Sequence, residues 1–365
     1  MALTILLITL AFLAMTQTAI PYLVKQTVVF GVSIPEGEAK DDRLAAYKKT
    51  YSLLVFSLSA VAMVAFLIWA LSGNPAEGQL VLTGTAIQFG IIFFSMALYF
   101  YFHGKTAKRK RTEKWGEDLK QVKITDMSAR SKDEMLPWYV YLLPIAVTLG
   151  VMGYTATQYG ALPEQIPTHW GANGKPDAFT AKSPLSVITP LIVLFCMQGM
   201  FLGINEATKR SGIKISASRP QASTIRQLTL RKYSSWFMFL VCVLMTMLFA
   251  FLQLTTIHEG LADDAVMMIL PVVFMLVVLI GSIVFAVKVG TAGQQAGEGP
   301  AAQGIRDYDE DDHWKGGLFY FNKNDPSIFV EKRFGVGWTI NFANPKGYFL
   351  IFGPLLLILL VSYFS

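Results

Sequence analysis

Eight stretches of the chain are apolar almost without interruption, at about 2–24, 51–72, 80–102, 137–160, 184–205, 235–257, 266–288 and 347–365. Each approaches the roughly 20 residues that a helix needs to cross about 30 Å of hydrocarbon at 1.5 Å per residue. The pattern predicts a membrane all-α fold of eight transmembrane helices. Pro21 should kink the outgoing end of the first. That first stretch lacks a basic n-region and is too long for a signal-peptide core, so it reads as a retained helix.

The polar segments between the spans carry a second, independent pattern. Loops 25–50, 103–136, 206–234 and 289–346 carry 5, 10, 7 and 7 Lys/Arg, with Lys288 at the end of the seventh span counted in the last. Loops 73–79, 161–183 and 258–265 carry 0, 2 and 0. A split of 29 to 2 over alternating loops fits eight spans, and one helix more or fewer in the middle would scramble it. By the positive-inside rule the basic side is cytoplasmic and both termini face outward. The expected location is a bacterial cell membrane, with the lipid bilayer as the first partner.

Composition agrees: 53% of the 365 residues are apolar and 15% charged, with a formal charge of +6. The basic residues flank apolar runs, which favours topology over nucleic-acid binding. Cys196 and Cys242 lie inside apolar runs with no metal or disulfide spacing, and read as packing residues. No Asp, Glu, Lys, Arg or His lies in the middle of a span, which argues against proton relays and ion-coupled transport. Neither an HExxH pair nor a GxGD aspartate pair occurs, so the chain is not expected to be an enzyme, and no cofactor or metal is expected. Gln17, Gln88, Gln198 and Gln253 could line an uncharged pathway; the plainer reading makes each a hydrogen bond between helices. Gly199 and Gly203 fit a GxxxG contact.

One outer loop, 163–182, is long enough to hold a site. It runs Pro163-Glu164-Gln165-Ile166-Pro167-Thr168-His169-Trp170-Gly171-Ala172-Asn173-Gly174-Lys175-Pro176-Asp177. Three prolines and an Asn-Gly turn should order it. His169, Asn173 and Asp177 could converge on a ligand beside a Trp170 wall. The plainer alternative is a rigid hairpin in which Asp177 caps a turn and Trp170 and Phe179 join the aromatic belt. One histidine with one carboxylate falls short of a metal site.

On the inner side, 289–312 begins Gly-, Ala- and Gln-rich, turns acidic at Asp307, Asp309, Glu310, Asp311 and Asp312, and reads as a flexible linker. Residues 313–346 are β-branched and aromatic with glycine and proline breaks, predicting a three-stranded antiparallel unit. Three short strands are marginal alone, so Val28–Pro35, read as a strand, is expected to join them in one cytoplasmic β-cap. Arg333, Trp338 and Asn341 are candidate contacts for a regulatory protein. Arg226, Arg231 and Lys232 fit an amphipathic surface helix entering the sixth span. The organisation is therefore a seven-helix region over 1–288, a linker over 289–312, a β-rich domain over 313–346 and a final helix over 347–365.

Two motifs carry a resemblance. P-x-x-I-P-x-H-W-x-x-x-G-x-P-D-x-F, from Pro163 to Phe179, resembles that of a bacterial membrane-protein family of unknown biochemistry, found also in SdpI-like immunity proteins. W-K-x-G-x-x-Y-x-N-x-x-D-P-x-I-F-V-x-x-R-x-G-x-G-W-x-x-N-F, from Trp314 to Phe342, resembles a small domain of unknown function that accompanies the first. The resemblance implies sensing, signalling or immunity toward a secreted peptide or envelope ligand. An uncharged-pathway facilitator or lipid/peptide transporter is the alternative, and an outer-surface enzyme ranks last.

Overall fold

A computed structural model describes residues 2–25, 27–122, 128–171, 174–258, 260–292 and 305–364. Eight helices are long and apolar enough to cross a membrane. They are α1 (Ala2–Leu23), α2 (Asp42–Gly73), α3 (Glu77–Thr112), α4 (Leu142–Thr157), α5 (Pro184–Arg210), α6 (Pro220–Ile257), α7 (Asp264–Thr291) and α8 (Pro345–Phe364). The chain is a multi-pass membrane protein.

Six helices run past the apolar stretches that announced them, α2, α3 and α6 the furthest. α2 begins nine residues before Tyr51, at Asp42, where the Asp41 side chain accepts hydrogen bonds from the Arg43 and Leu44 amides and so satisfies two of the orphan N–H groups of the first turn. α3 continues to Thr112 through the basic run Lys105–Arg111, whose cations suit the negative end of a helix dipole. α6 starts at Pro220, pre-set for the first helical position. These polar extensions form a platform on the basic end of the bundle.

Amides and hydroxyls knit the helices together. Gln88 donates to Thr9 (2.9 Å), Ser95 donates to Gln17 (3.1 Å) and Gln253 donates to the Val187 carbonyl (3.1 Å). The Gln198 amide nitrogen lies within reach of Thr148 (2.7 Å), Thr246 (2.8 Å) and the Pro144 carbonyl (3.1 Å). All four glutamines are thus bonded between helices. Gly203 lets α8 approach so closely that a Cβ there would run into Leu350 Cδ1, whereas Gly199 faces open space. Only half of the GxxxG expectation is realised.

The strands are short and paired: β1 (Val28–Val29) with β2 (Val32–Ser33), and β3 (Lys120–Val122) in parallel with a later β6 (Ile305–Asp307). β4 (Gln165–Trp170) pairs with β5 (Pro176–Ala181), β7 (Trp314–Lys315) with β8 (Phe319–Tyr320), and β9 (Phe329–Glu331) with β10 (Trp338–Ile340). Among the described residues the one strand pairing between the last two hairpins is a bridge between Tyr320 and Asn341, so the expected three-stranded sheet is instead two linked hairpins. Val28–Pro35 is not one strand either. Phe30 (φ 46°) and Gly31 (φ 77°) fold it into a two-residue hairpin, the geometry of a turn with positive φ at both central positions.

That first hairpin nevertheless packs where the sequence placed it, against the C-terminal unit. Phe30 stacks on Phe102 (5.3 Å between ring centres) and on Phe334 (6.0 Å), and Phe334 meets Tyr99 at 4.3 Å. The contact is an aromatic core beside α2 and α3, and among the described residues the two units share no strand ladder. Gly31 and Gly317 touch backbone to backbone: a Cβ on Gly31 would lie 2.7 Å from Gly317 Cα.

Candidate functional site

The Pro163–Phe179 motif forms the β4–β5 hairpin. Its register pairs Pro167 with Phe179, His169 with Ala178 and Trp170 with Pro176, so the strands slip twice around His169. A bulge of this kind re-aims side chains. Here it brings the His169 Nδ1 atom to 2.5 Å from the Asp177 carboxylate, with both side chains more than half exposed. Asp177 therefore orients the imidazole. Trp170 is half-buried and Phe179 exposed. Asn173, the third expected convergence residue, lies outside the described residues.

The hairpin is fixed at both ends. At its base Ile166 is buried with Leu162, Val187 and Ile257, while Lys182 donates from its backbone to the Glu164 carbonyl and from Nζ to the Leu162 carbonyl. At its tip Gly174, at φ 77°, sits so close to α7 that a Cβ would meet the Asp264 carbonyl at 2.6 Å. Directly after β5, Ser183 and Ser186 cap α5 reciprocally, which leaves no slack between hairpin and helix. Nearby, Tyr154 Oη and His258 Nε2 lie 2.8 Å apart and join the ends of α4 and α6.

At the opposite end of the bundle the acidic stretch is built into the cap. Residues 293–304 of the expected linker lie outside the described residues, but 305–312 are closely engaged. The Asp307 carboxylate accepts the Ala217 amide, Asp309 and Asp311 both pair with Lys110 (2.5 and 2.7 Å), and Glu310 pairs with Lys214 (2.9 Å). Asp311 also receives Arg333 and the Ser33 amide. Burial pushes the Asp311 carboxyl up, yet Arg333 and Lys110 outweigh it and hold it below its ordinary value. Glu331 behaves alike: burial raises it, and Lys25 (2.6 Å) and Arg226 (3.2 Å) bring it down.

The residues expected to meet a regulator are committed inside the cap. Arg333 is spent on Asp311, the Gly31 carbonyl and the Trp314 ring. Trp338 donates from Nε1 to Ser234 (3.0 Å). Asn341 is fully buried: its amide donates to the Asn322 and Asp325 carbonyls and accepts from the Asn322 and Ala343 amides. These three shape the cap. Arg231 is likewise no surface residue. It is fully buried and reaches Asp133 (2.7 Å) and the Lys209 and Ser211 carbonyls. Sequence patterns could not reveal it, because its partners come from two segments distant in the chain, around Asp133 and at the end of α5.

Among the described residues no group of three or more His, Cys, Asp and Glu side chains could hold a metal ion. Both cysteines are free and buried.

Two segments match known family models. Residues 146–194, which include the hairpin and the start of α5, match one described as "Domain of unknown function (DUF1648)". Residues 323–348, from the cap into α8, match one described as "Family of unknown function (DUF5808)". Both are typical of membrane-protein families, and neither is specific to SdpI-like immunity proteins. No curated protein and no solved structure matches the chain.

Proposed function

We propose that this protein is a bacterial membrane sensor or peptide-immunity protein, with the β4–β5 hairpin as its extracytoplasmic recognition element and the β-cap as its cytoplasmic side. The observation that carries this reading is the rigid hairpin presenting His169 and Asp177 to solvent, joined without slack to α5. That helix of 27 residues spans about 40 Å, and the chain directly beyond it meets the cap through Lys214 and Glu310. A ligand that binds one orientation of the hairpin better than another can bias the cap through such a stiff element. The paired histidine and carboxylate offer a donor and an acceptor to a peptide backbone or an envelope headgroup. A regulatory protein inside would meet the exposed cap surface rather than Arg333, Trp338 and Asn341.

The glutamines that could have lined an uncharged pathway are used between helices, so nothing favours the transport reading. The test is a deletion strain challenged with secreted peptides of neighbouring bacteria and complemented in trans. His169→Ala and Asp177→Ala should lose resistance or signalling while reaching wild-type levels in the membrane. Full complementation by both variants would overturn the proposal.

A further inference from the structure

A cleft of about 910 Å³ opens on the basic end of the bundle, between the last turns of α5 and the first turn of α8. Its two ends differ in chemistry. Toward the bundle the walls are apolar: Gly203 and Leu350 lie in contact, and Phe349 is 81% exposed on the face a membrane helix turns to lipid. Toward the cap the rim carries Arg130, Arg210 and Lys346, all exposed.

The carboxylates there do not balance these cations. Asp325 faces inward, where it accepts Tyr320 Oη and the Ser327 amide and lies 3.6 Å from Lys214. Glu206 remains, at 3.7 Å from Arg210. Among the described residues lining the cleft, three cations thus face one available acid; the positive dipole end of α8 and the negative end of α5 both border it and offset each other, so the side chains set its sign. An occupant must be anionic at one end and apolar at the other, and the cleft must open to the bilayer at the depth of its headgroups. We propose that the α5–α8 cleft binds one acidic phospholipid from the leaflet on the basic side, its phosphate among Arg130, Arg210 and Lys346 and an acyl chain along Phe349 and Leu350. Topology alone explains the basic run 105–111 but not three cations from separate segments gathered at an apolar cleft.

The full-length protein, purified in a neutral detergent, is examined by native mass spectrometry and thermal unfolding with phosphatidylglycerol, with phosphatidylcholine, and with glycerol phosphate as a headgroup without tails. Phosphatidylglycerol should bind at one lipid per chain, at least tenfold more tightly than phosphatidylcholine, and should raise the unfolding temperature. Glycerol phosphate should do neither. The triple variant Arg130→Ala, Arg210→Ala, Lys346→Ala should lose the preference by roughly tenfold or more, since each cation near a lipid surface is worth a several-fold change. Ala207→Phe, which keeps every charge and fills the cleft, should lose it as well and decides the matter if the triple variant does not fold. Lys108→Ala with Arg111→Ala should keep it. Equal binding of both lipids, an unchanged preference in the cleft variants, or an equal response to glycerol phosphate would overturn the proposal.

Discussion

Lys25, just beyond the first helix, and Glu331, in a hairpin near the end of the chain, meet at 2.6 Å. The same carboxylate receives Arg226 and Gln227 from α6. One acidic side chain, itself only 9% exposed, therefore clamps both the first and the sixth helix to the cap. Removing one member of a buried charge cluster leaves the others uncompensated, at a cost of about 3 kcal/mol or more. Glu331→Gln should lower the unfolding temperature of the purified protein by several degrees, measured by tryptophan fluorescence in detergent. An unchanged midpoint would mean that the cluster is solvated rather than structural.

The pH dependence has a definite sign. The Glu331 and Asp311 carboxyls are both held below their ordinary values of 4.5 and 3.8. A depressed carboxyl contributes stability that is present above its unfolded pKa and is lost as pH falls through its folded one. Unfolding temperature should therefore drop as pH falls below about 4.5, and Glu331→Gln with Asp311→Asn should start lower and flatten that acid limb. A parallel limb in the double variant would assign the acid sensitivity to other groups.

Asn341 uses both ends of its amide on four backbone partners in a fully buried site. Asn341→Asp keeps the shape but turns the donor that serves the Asn322 and Asp325 carbonyls into an acceptor. Each buried group left without a partner costs about 1–3 kcal/mol. The cap should become sensitive to limited proteolysis while the helices stay protected, and equal protection of the cap in wild type and variant would count against this role.

Gly31 and Gly37 lie in one loop and should respond oppositely to alanine. At Gly31 a Cβ would strike Tyr99 Oη and lie 2.7 Å from Gly317 Cα, on a backbone with φ of 77°. At Gly37 it meets nothing within 4 Å. Gly31→Ala should sharply reduce the yield of folded protein, whereas Gly37→Ala should be neutral or stabilising by at most about 1 kcal/mol. Size-exclusion profiles of the two variants provide the comparison.

Gln198 ties α4, α5 and α6 together. Gln198→Leu should cost little, about 0.6 kcal/mol by the average of such bonds in membranes, and should leave any biological activity intact. Loss of activity at unchanged stability would instead revive a pathway through the bundle.

The helices were legible because hydrocarbon tolerates only long apolar runs, and the hairpin because Pro163, Pro167 and Pro176 restrict it so strongly. What hydropathy could not mark was where a helix continues into water, as α2, α3 and α6 do. Nor could it mark the Phe30-Gly31 turn, whose residues are not the Asn-Gly pair that announces such a geometry. The acidic run 307–312 looked like a linker because its cations, Lys110, Lys214 and Arg333, are scattered along the chain. The His169–Asp177 contact depended on a bulge in the hairpin, and strand alternation does not reveal bulges.

The central claim is that the His169 hairpin and the β-cap lie on opposite sides of the membrane, the hairpin outside. Single cysteines at Thr168 and Lys323, both exposed, in a chain with Cys196 and Cys242 replaced by serine, test it directly with a membrane-impermeant maleimide. Thr168→Cys should be labelled on intact cells and Lys323→Cys only after permeabilisation. Labelling of both on intact cells, or the reverse pattern, would contradict the account.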